Sequence, residues 1–279
     1  MTNSPIVDCH LHVYWPEKYP YPEGPGAKPK PGEIIADLNA MNKVMSANKI
    51  THALLVQPSA YETENKSMID VITTSKGRVK GIAAADVAMT DDDLAQLKRD
   101  GIVGVRLNLY SFANDIFEQP GINDFLKRCA KNDIIAEVFA TPATWPKVID
   151  KLRACPARMV FEHMGWPKVE DGVKQEGFQL LLGLAKEKDC SVKLSCAFRM
   201  SKSGFPFPEL QPYVDKLLEV FGPERCMWGS DWPMLRSGHD RPYNYAEEFA
   251  ALERWVPNAA DRRAILWSAP AKIFGFTAN

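Results

Sequence analysis

The sequence predicts an α/β fold, specifically a (β/α)8 TIM barrel, and three observations carry that reading. Short apolar runs alternate with longer amphipathic stretches along the 279 residues, eight times over. The runs are apolar nearly throughout, as parallel strands covered on both faces are. The runner-up, a doubly wound open sheet, lacks its nucleotide-binding fingerprint. No G-x-G-x-x-G follows the first run and no G-x-x-x-x-G-K-[ST] occurs anywhere.

The first run is IVDCHLH (6–12). PEKYPYPEGPGAKPKPG (16–32) follows closely, and its prolines and glycines predict a long loop that distorts the barrel rather than a domain boundary. GEIIADLNAMNKVMSANK (32–49) follows a proline and reads as the first helix. The next runs are ITHALLVQ (50–57), VKGIAAAD (79–86) and IVGVRLN (102–108). TDDDLAQLKRD (90–100) offers Thr90 and three aspartates to a helix N-terminus, whose partial positive charge suits them. IIAEVF (134–139), RMVFEH (158–163), CSVKLS (190–195) and RCMWGSD (225–231) complete the strands. EGFQLLLGLAKEKD (176–189) and PELQPYVDKLLEVFG (208–222) are helical, the latter stopped by Gly222. DRRAILWSAPAKIFGF (261–276) is expected to pack a last helix against the barrel, so residues 1–279 read as one barrel domain.

Composition excludes several classes of function. With 46% hydrophobic and 25% charged residues and a net charge of −1, the chain has no electrostatic reason to bind nucleic acid or an anionic membrane. No apolar run approaches the roughly 20 residues that span a bilayer. The N-terminus lacks the form of a secretory signal. Six scattered cysteines with no C-x-x-C pair suit a reduced, cytoplasmic protein.

Barrel enzymes take their catalytic groups from the C-terminal ends of strands. Here those ends supply His10 and His12, then Gln57 and Ser59, then Arg106 and Asn108. His163 follows strand 6, Lys193, Ser195 and Arg199 follow along strand 7, and Ser230 and Asp231 close strand 8. In an extended strand His10 and His12 project from one face. One such histidine is commonly a satisfied structural residue. Three of the five histidines plus an aspartate, each at the proper end of its own strand, make a site. His52 in mid-strand and His239 in the loop after strand 8 read as structural and solvated, respectively. Trp166 and Trp232 could wall a pocket.

The order of VDCHLHVY, EHMG and WGSDWP, with SAPAKIFGF at the end, resembles the amidohydrolase superfamily and its amidohydrolase 2 branch. VQPSAYETEN, GVRLNL and KLSCAFRMS are similar to segments of that branch's lactone-hydrolysing group, which includes 2-pyrone-4,6-dicarboxylate hydrolase. The resemblance implies that His10, His12 and His163 bind the scissile carbonyl oxygen while Asp231 activates water. It makes Ser59, Arg106 and Arg199 substrate-binding candidates and adds a phenol from Tyr19 or Tyr21. Two departures stand out: Phe112 occupies the place of an arginine, and Phe139 that of a tyrosine. Each removes a polar contact, which points away from the pyrone dicarboxylate itself and towards a related carboxylated lactone.

His10, His12, His163 and Asp231 could also hold one divalent metal, Zn or Mn, with an open position. A second metal is not expected, because strands 4 and 5 end in Arg106 and Phe139. Arginine near the site disfavours a dication, and the metal-free reading is preferred. Alternatives on the same site are a lactone isomerase and a metal-dependent decarboxylase of an aromatic or muconate-type acid. The expected partner is a small carboxylated lactone, with homo-oligomerisation left open.

Overall fold

A computed structural model describes residues 4–24, 26, 28–29, 36–84, 86–109, 116–235 and 244–278. Its strands are β1 (Val7–Leu11), β2 (His52–Val56), β3 (Val79–Ala84), β4 (Ile102–Asn108), β5 (Ile135–Phe139), β6 (Met159–Phe161), β7 (Cys190–Ser195) and β8 (Cys226–Gly229). They lie in chain order in one sheet, each parallel to the next. This is the (β/α)8 barrel that the sequence predicts.

The barrel closes between β1 and the residues just beyond β8. The Asp231 N–H donates to the His10 carbonyl at 2.8 Å, and the His12 N–H donates to the Trp232 carbonyl at 2.8 Å. The closing seam therefore runs through the candidate catalytic residues. Asp8, fully buried, fastens it from below. Its carboxylate accepts from the His10 and Ser230 N–H groups at 3.0 Å each and from the Tyr245 hydroxyl at 2.6 Å. Burial outweighs those bonds and pushes the carboxyl up to about 6.

Two apolar cores support the sheet. One lies between the strands and their surrounding helices and includes Leu55, Leu107, Phe125, Trp145 and Phe178. The other fills the lower barrel with Val7, Leu54, Val56, Ile82, Ile135, Val160 and Met227, and Phe274 and Phe276 pack beneath it. The expected single C-terminal helix is broken into Ala259–Arg263, a π-helical turn Ala264–Ser268, and Ala269–Phe274. Pro270, which has no N–H to offer the regular ladder, stands at the start of the last piece.

Other local expectations are met where chemistry is strong. Thr90 and Asp93 form a reciprocal capping box before the helix Asp91–Arg99. The first helix is shorter than predicted, Leu38–Ala47, because Asp37 caps it by accepting from the Ala40 N–H at 2.8 Å. All six cysteines are buried and unbridged. Among the described residues no helix is long and apolar enough to cross a membrane.

Candidate active site

Strands 6, 7 and 8 leave the barrel through residues with left-handed backbone: His163 (φ 51°), Cys196 (φ 65°) and Asp231 (φ 58°). A non-glycine residue costs on the order of 1–2 kcal/mol there. Such strain persists where surrounding contacts over-determine it, and it concentrates at functional sites. β1 departs from regularity too. Its register against β2 shifts between Asp8 and Leu11, and His12 lies beyond the strand. Strict alternation is thus not what pairs the histidines. The seam bonds turn the chain so that the two rings meet edge to face, 4.9 Å apart. Gly229 makes room for this, since a Cβ there would lie 2.6 Å from the His10 Cβ.

His10, His12, His163 and Asp231 converge. His12 Nδ1 donates to the Val56 carbonyl at 2.8 Å, and its Nε2 lies 3.1 Å from Asp231 Oδ1. Both ring nitrogens of His12 therefore face oxygen atoms, Nδ1 the Val56 carbonyl and Nε2 the Asp231 carboxylate. His10 Nε2 lies 3.6 Å from the same oxygen, and the His10 and His163 rings are 4.6 Å apart. Cys196 donates its thiol to Asp231 Oδ2 at 3.2 Å. Burial alone would raise the Asp231 carboxyl, but the His12 hydrogen bond, the neighbouring His163 ring and the Arg199 guanidinium outweigh it and hold the group well below the usual carboxylate range.

Charged pairs underlie and flank this cluster. Lys193 Nζ, fully buried, lies 3.2 Å from His10 Nδ1 and 2.7 Å from Glu137 Oε2. Arg106 closes a fork on Glu162, Nε to Oε1 at 2.7 Å and Nη2 to Oε2 at 2.6 Å, and its Nη1 reaches the Gln57 carbonyl at 3.2 Å. Glu162 Oε2 is also 3.4 Å from His163 Nε2.

The remaining expected residues divide. Arg199 is half-buried, donates to the Leu235 carbonyl at 2.6 Å and stacks 6.0 Å from the Trp166 ring. With Trp166, Lys168 and Lys202 it lines a cavity of about 320 Å³. Ser59 opens a short turn, Ser59–Tyr61, and is not the cap of the next helix, which is preceded by Asn65. Tyr21 packs 4.9 Å from Tyr61 in a ring chain that continues through Tyr14 to His12. Tyr19 does not join the cluster, because its hydroxyl is held at 2.9 Å by Asp70, which also pairs with Lys18. Phe139 stands edge-on to His163, 5.1 Å away, and touches Trp166 and the Arg106 guanidinium. His52 packs between Trp267 and Phe276 at the barrel base. Phe112 and His239 lie outside the described residues.

Sequence reasoning assigned no role to Tyr14, Glu162 or Cys196. Tyr14 sits 6.3 Å from the His12 ring, and burial together with the Asp231 charge pushes its phenol above the ordinary range. Continuing the alternation His10, His12, Tyr14 would have found it. Glu162 was signalled only by adjacency to His163, and Cys196 by nothing local.

The amidohydrolase family profile matches residues 7–276. This chain belongs to the amidohydrolase family. It is 29% identical to 4-sulfomuconolactone hydrolase of Rhizobium radiobacter over 278 residues, 96% of this chain and 89% of that protein. It is also 29% identical to 2-pyrone-4,6-dicarboxylate hydrolase of Comamonas testosteroni, over 91% of this chain and 83% of that one. Among solved structures, a probable 2-pyrone-4,6-dicarboxylic acid hydrolase from Acinetobacter baumannii with citric acid bound superposes with a TM-score of 0.87. It shares 26% identity, with 97% of this chain and 99% of that chain covered.

Family members of this kind raise the question of a metal. Among the described residues three sets bring their ligand atoms within 4.8 Å of one another: His10, His12 and Asp231; His10, Glu162 and His163; and His163, Cys196 and Asp231. His12 and His163 have the supports of metal-binding imidazoles, the Val56 carbonyl and, at 2.8 Å, the Ser195 hydroxyl. His10 does not. A cation on its Nε2 requires the proton on Nδ1, and Nδ1 faces the Lys193 ammonium, which has no lone pair. In the third set, burial pushes the Cys196 thiol well above its ordinary range and disfavours the thiolate. The donor sets do not fit a dication taken by all three histidines.

The protonation of His163 sets a pH dependence. Burial, offset in part by Asp231 and Glu162, lowers it from the ordinary 6.5 to about 4. The imidazole therefore stays neutral in the folded protein down to about pH 4. Below that, a full positive charge stands beside Asp231 and lowers the basicity of its carboxylate. The acid limb of kcat/KM is expected near pH 4 and not near 6.5, and a pH–rate profile checks it. A limb at 6.5 would show that a solvent-accessible histidine controls the rate.

Proposed function

We propose that this protein is a hydrolase that opens a lactone bearing an anionic group, by water attack and without a metal. The observation that carries the reading is the convergence of an ionised carboxylate, Asp231, and the buried His10 Nε2, 3.6 Å apart, flanked by Arg106 and Arg199. Asp231 takes a proton from water as the oxygen attacks the lactone carbonyl. His10, with His12 and His163 around it, stabilises the charge that develops on the carbonyl oxygen. Collapse breaks the ring C–O bond, and the proton held by Asp231 passes to the departing ring oxygen. An ester leaving group needs less electrophilic help than an amide nitrogen, consistent with imidazole donors sufficing.

The anionic substituent falls to Arg199 at its cavity, where Lys202 and Lys168 are already paired with Glu170 and Asp171, with the outward edge of Arg106 assisting. Most of the Arg106 fork is spent on Glu162, and Phe139 offers a ring where a polar contact is absent. A substrate with a single anionic group off the ring suits this arrangement better than a dicarboxylate. The similarity to sulfomuconolactone and pyrone-dicarboxylate hydrolases supports the substrate class.

The test is a panel of carboxylated and sulfonated five- and six-membered lactones, assayed in ¹⁸O-water with and without chelator. Incorporation of one ¹⁸O into a ring-opened acid, undiminished by chelator, is expected. A product of unchanged mass would make it an isomerase. Loss of activity with chelator would overturn the metal-free chemistry.

A further inference from the structure

We infer that Lys193 is a positioning residue that fixes the proton of His10 on Nε2, so that His10 donates a hydrogen bond to the reacting carbonyl oxygen. The inference rests on the lactone-hydrolase reading for its chemical purpose, but its geometry stands apart from that reading.

Lys193 is on β7, Glu137 on β5 and His10 on β1, and all three side chains meet inside the barrel with no solvent exposure. Apolar side chains ordinarily fill such a layer, and burying an ion pair there is more often neutral or unfavourable than stabilising. The pair is aimed at one atom. Lys193 Nζ lies 3.2 Å from His10 Nδ1, while Glu137 Oε1 is farther from it, at 3.9 Å. An ammonium has three donors and no acceptor. Nδ1 therefore accepts, and the neutral ring carries its proton on Nε2.

That nitrogen has no hydrogen-bond partner among the described residues. A buried, unpaired donor costs about 1–3 kcal/mol. Its position beside Asp231 means that a substrate oxygen satisfies it. The donor is thus set before substrate arrives, which is what makes such a group effective for developing charge. Desolvation, with Lys193 and the other two histidines adding to it, holds His10 well below its ordinary value and keeps the ring a single-proton donor.

The same contact controls metal affinity. With Lys193 in place the Nε2 lone pair is not available to a cation. If the ammonium is removed and an acceptor left near Nδ1, the proton can move to Nδ1 and Nε2 becomes a ligand.

Ring-nitrogen ¹⁵N NMR of histidine-labelled protein, assigned by comparison with His10→Gln, reads the tautomer without any substrate. Wild type is expected to show a protonated Nε2 and an unprotonated Nδ1 at His10. Lys193→Met/Glu137→Gln avoids stranding a buried carboxylate, and the side-chain amide it places on β5 offers its carbonyl oxygen to Nδ1–H. In this variant the signals should exchange character, kcat should fall about 100-fold with KM within about 3-fold, and calorimetry with Zn²⁺ should show about 10-fold tighter binding. A protonated Nδ1 in wild type overturns the inference. So does a folded double variant with unchanged tautomer. If the tautomer behaves as stated and no lactone is opened, the function assigned above fails and the role of Lys193 in setting the ring stands.

Discussion

Asp231→Asn is expected to lower kcat by about 10³-fold while leaving KM within a few-fold of wild type, the signature of losing a general base rather than a binding contact. The amide is nearly the same size, and its NH2 can donate to His12 Nε2, 3.1 Å from the present Oδ1, while the ring keeps its own proton on Nδ1 facing the Val56 carbonyl. It cannot take the proton of an attacking water. Its oxygen would then stand where Oδ2 now accepts from the Cys196 thiol, so both contacts are kept in a site whose framework is the β1–β8 seam. That seam uses the backbone of residue 231, not its side chain, so the variant should fold. Steady-state kinetics on the best lactone of the panel, with circular dichroism as the control for folding, measure the effect. A loss under 10-fold in a folded variant would move proton transfer to another group. Asp231→Glu should also be poor, because the extra methylene drives the carboxylate into the rings of His10 and His12, and positioning errors of about 1 Å can cost about 100-fold.

The strands were legible because burial on both faces writes them as short apolar runs, and β4 and β7 were bounded to the residue. The candidate cluster was legible for a related reason. In a barrel the ends of strands converge, so polar residues at run ends are neighbours in space although the sequence keeps them far apart. What stayed hidden depended on interactions that no local pattern encodes. The bulge between Asp8 and Leu11 broke the alternation argument while preserving its result. Tyr19 is drawn away by Asp70, across 51 positions of chain. Arg106 read as a substrate ligand, yet most of its fork is held by Glu162, 56 positions away. Lys193 was visible as a polar residue in strand 7, but its meaning required knowing that Glu137 and His10 share its layer. Partner identity across a barrel is set by register and closure, and sequence spacing carries neither.

Arg106 and Glu162 give the largest expected stability effect. Arg106→Met leaves the Glu162 carboxylate with no fork, at 1% exposure. Breaking one side of a buried ion pair typically costs about 3–5 kcal/mol, since the remaining charge stays desolvated. In the native protein burial alone would raise that carboxyl, and the charge and hydrogen bonds of Arg106 more than reverse this. With the folded value below the unfolded one, this stabilisation is present above the ordinary carboxylate value of about 4.3 and lost as pH falls through the depressed one. Arg106→Met should therefore unfold more easily at pH 7 and approach wild type under acid conditions. Arg106→Met/Glu162→Gln removes the stranded charge and should recover stability to within about 1–2 kcal/mol of wild type, the remaining deficit coming from the Gln57 carbonyl that loses its donor. Urea denaturation of the four proteins forms a double-mutant cycle, and near-additive losses would mean that the pair is not coupled. The double variant also separates the two roles of Arg106. If the arginine serves only the fold, restored stability restores activity. If its outward edge also meets the substrate anion, stability returns while KM stays raised, because neither replacement carries a positive charge and Arg199 is left to hold the anion alone.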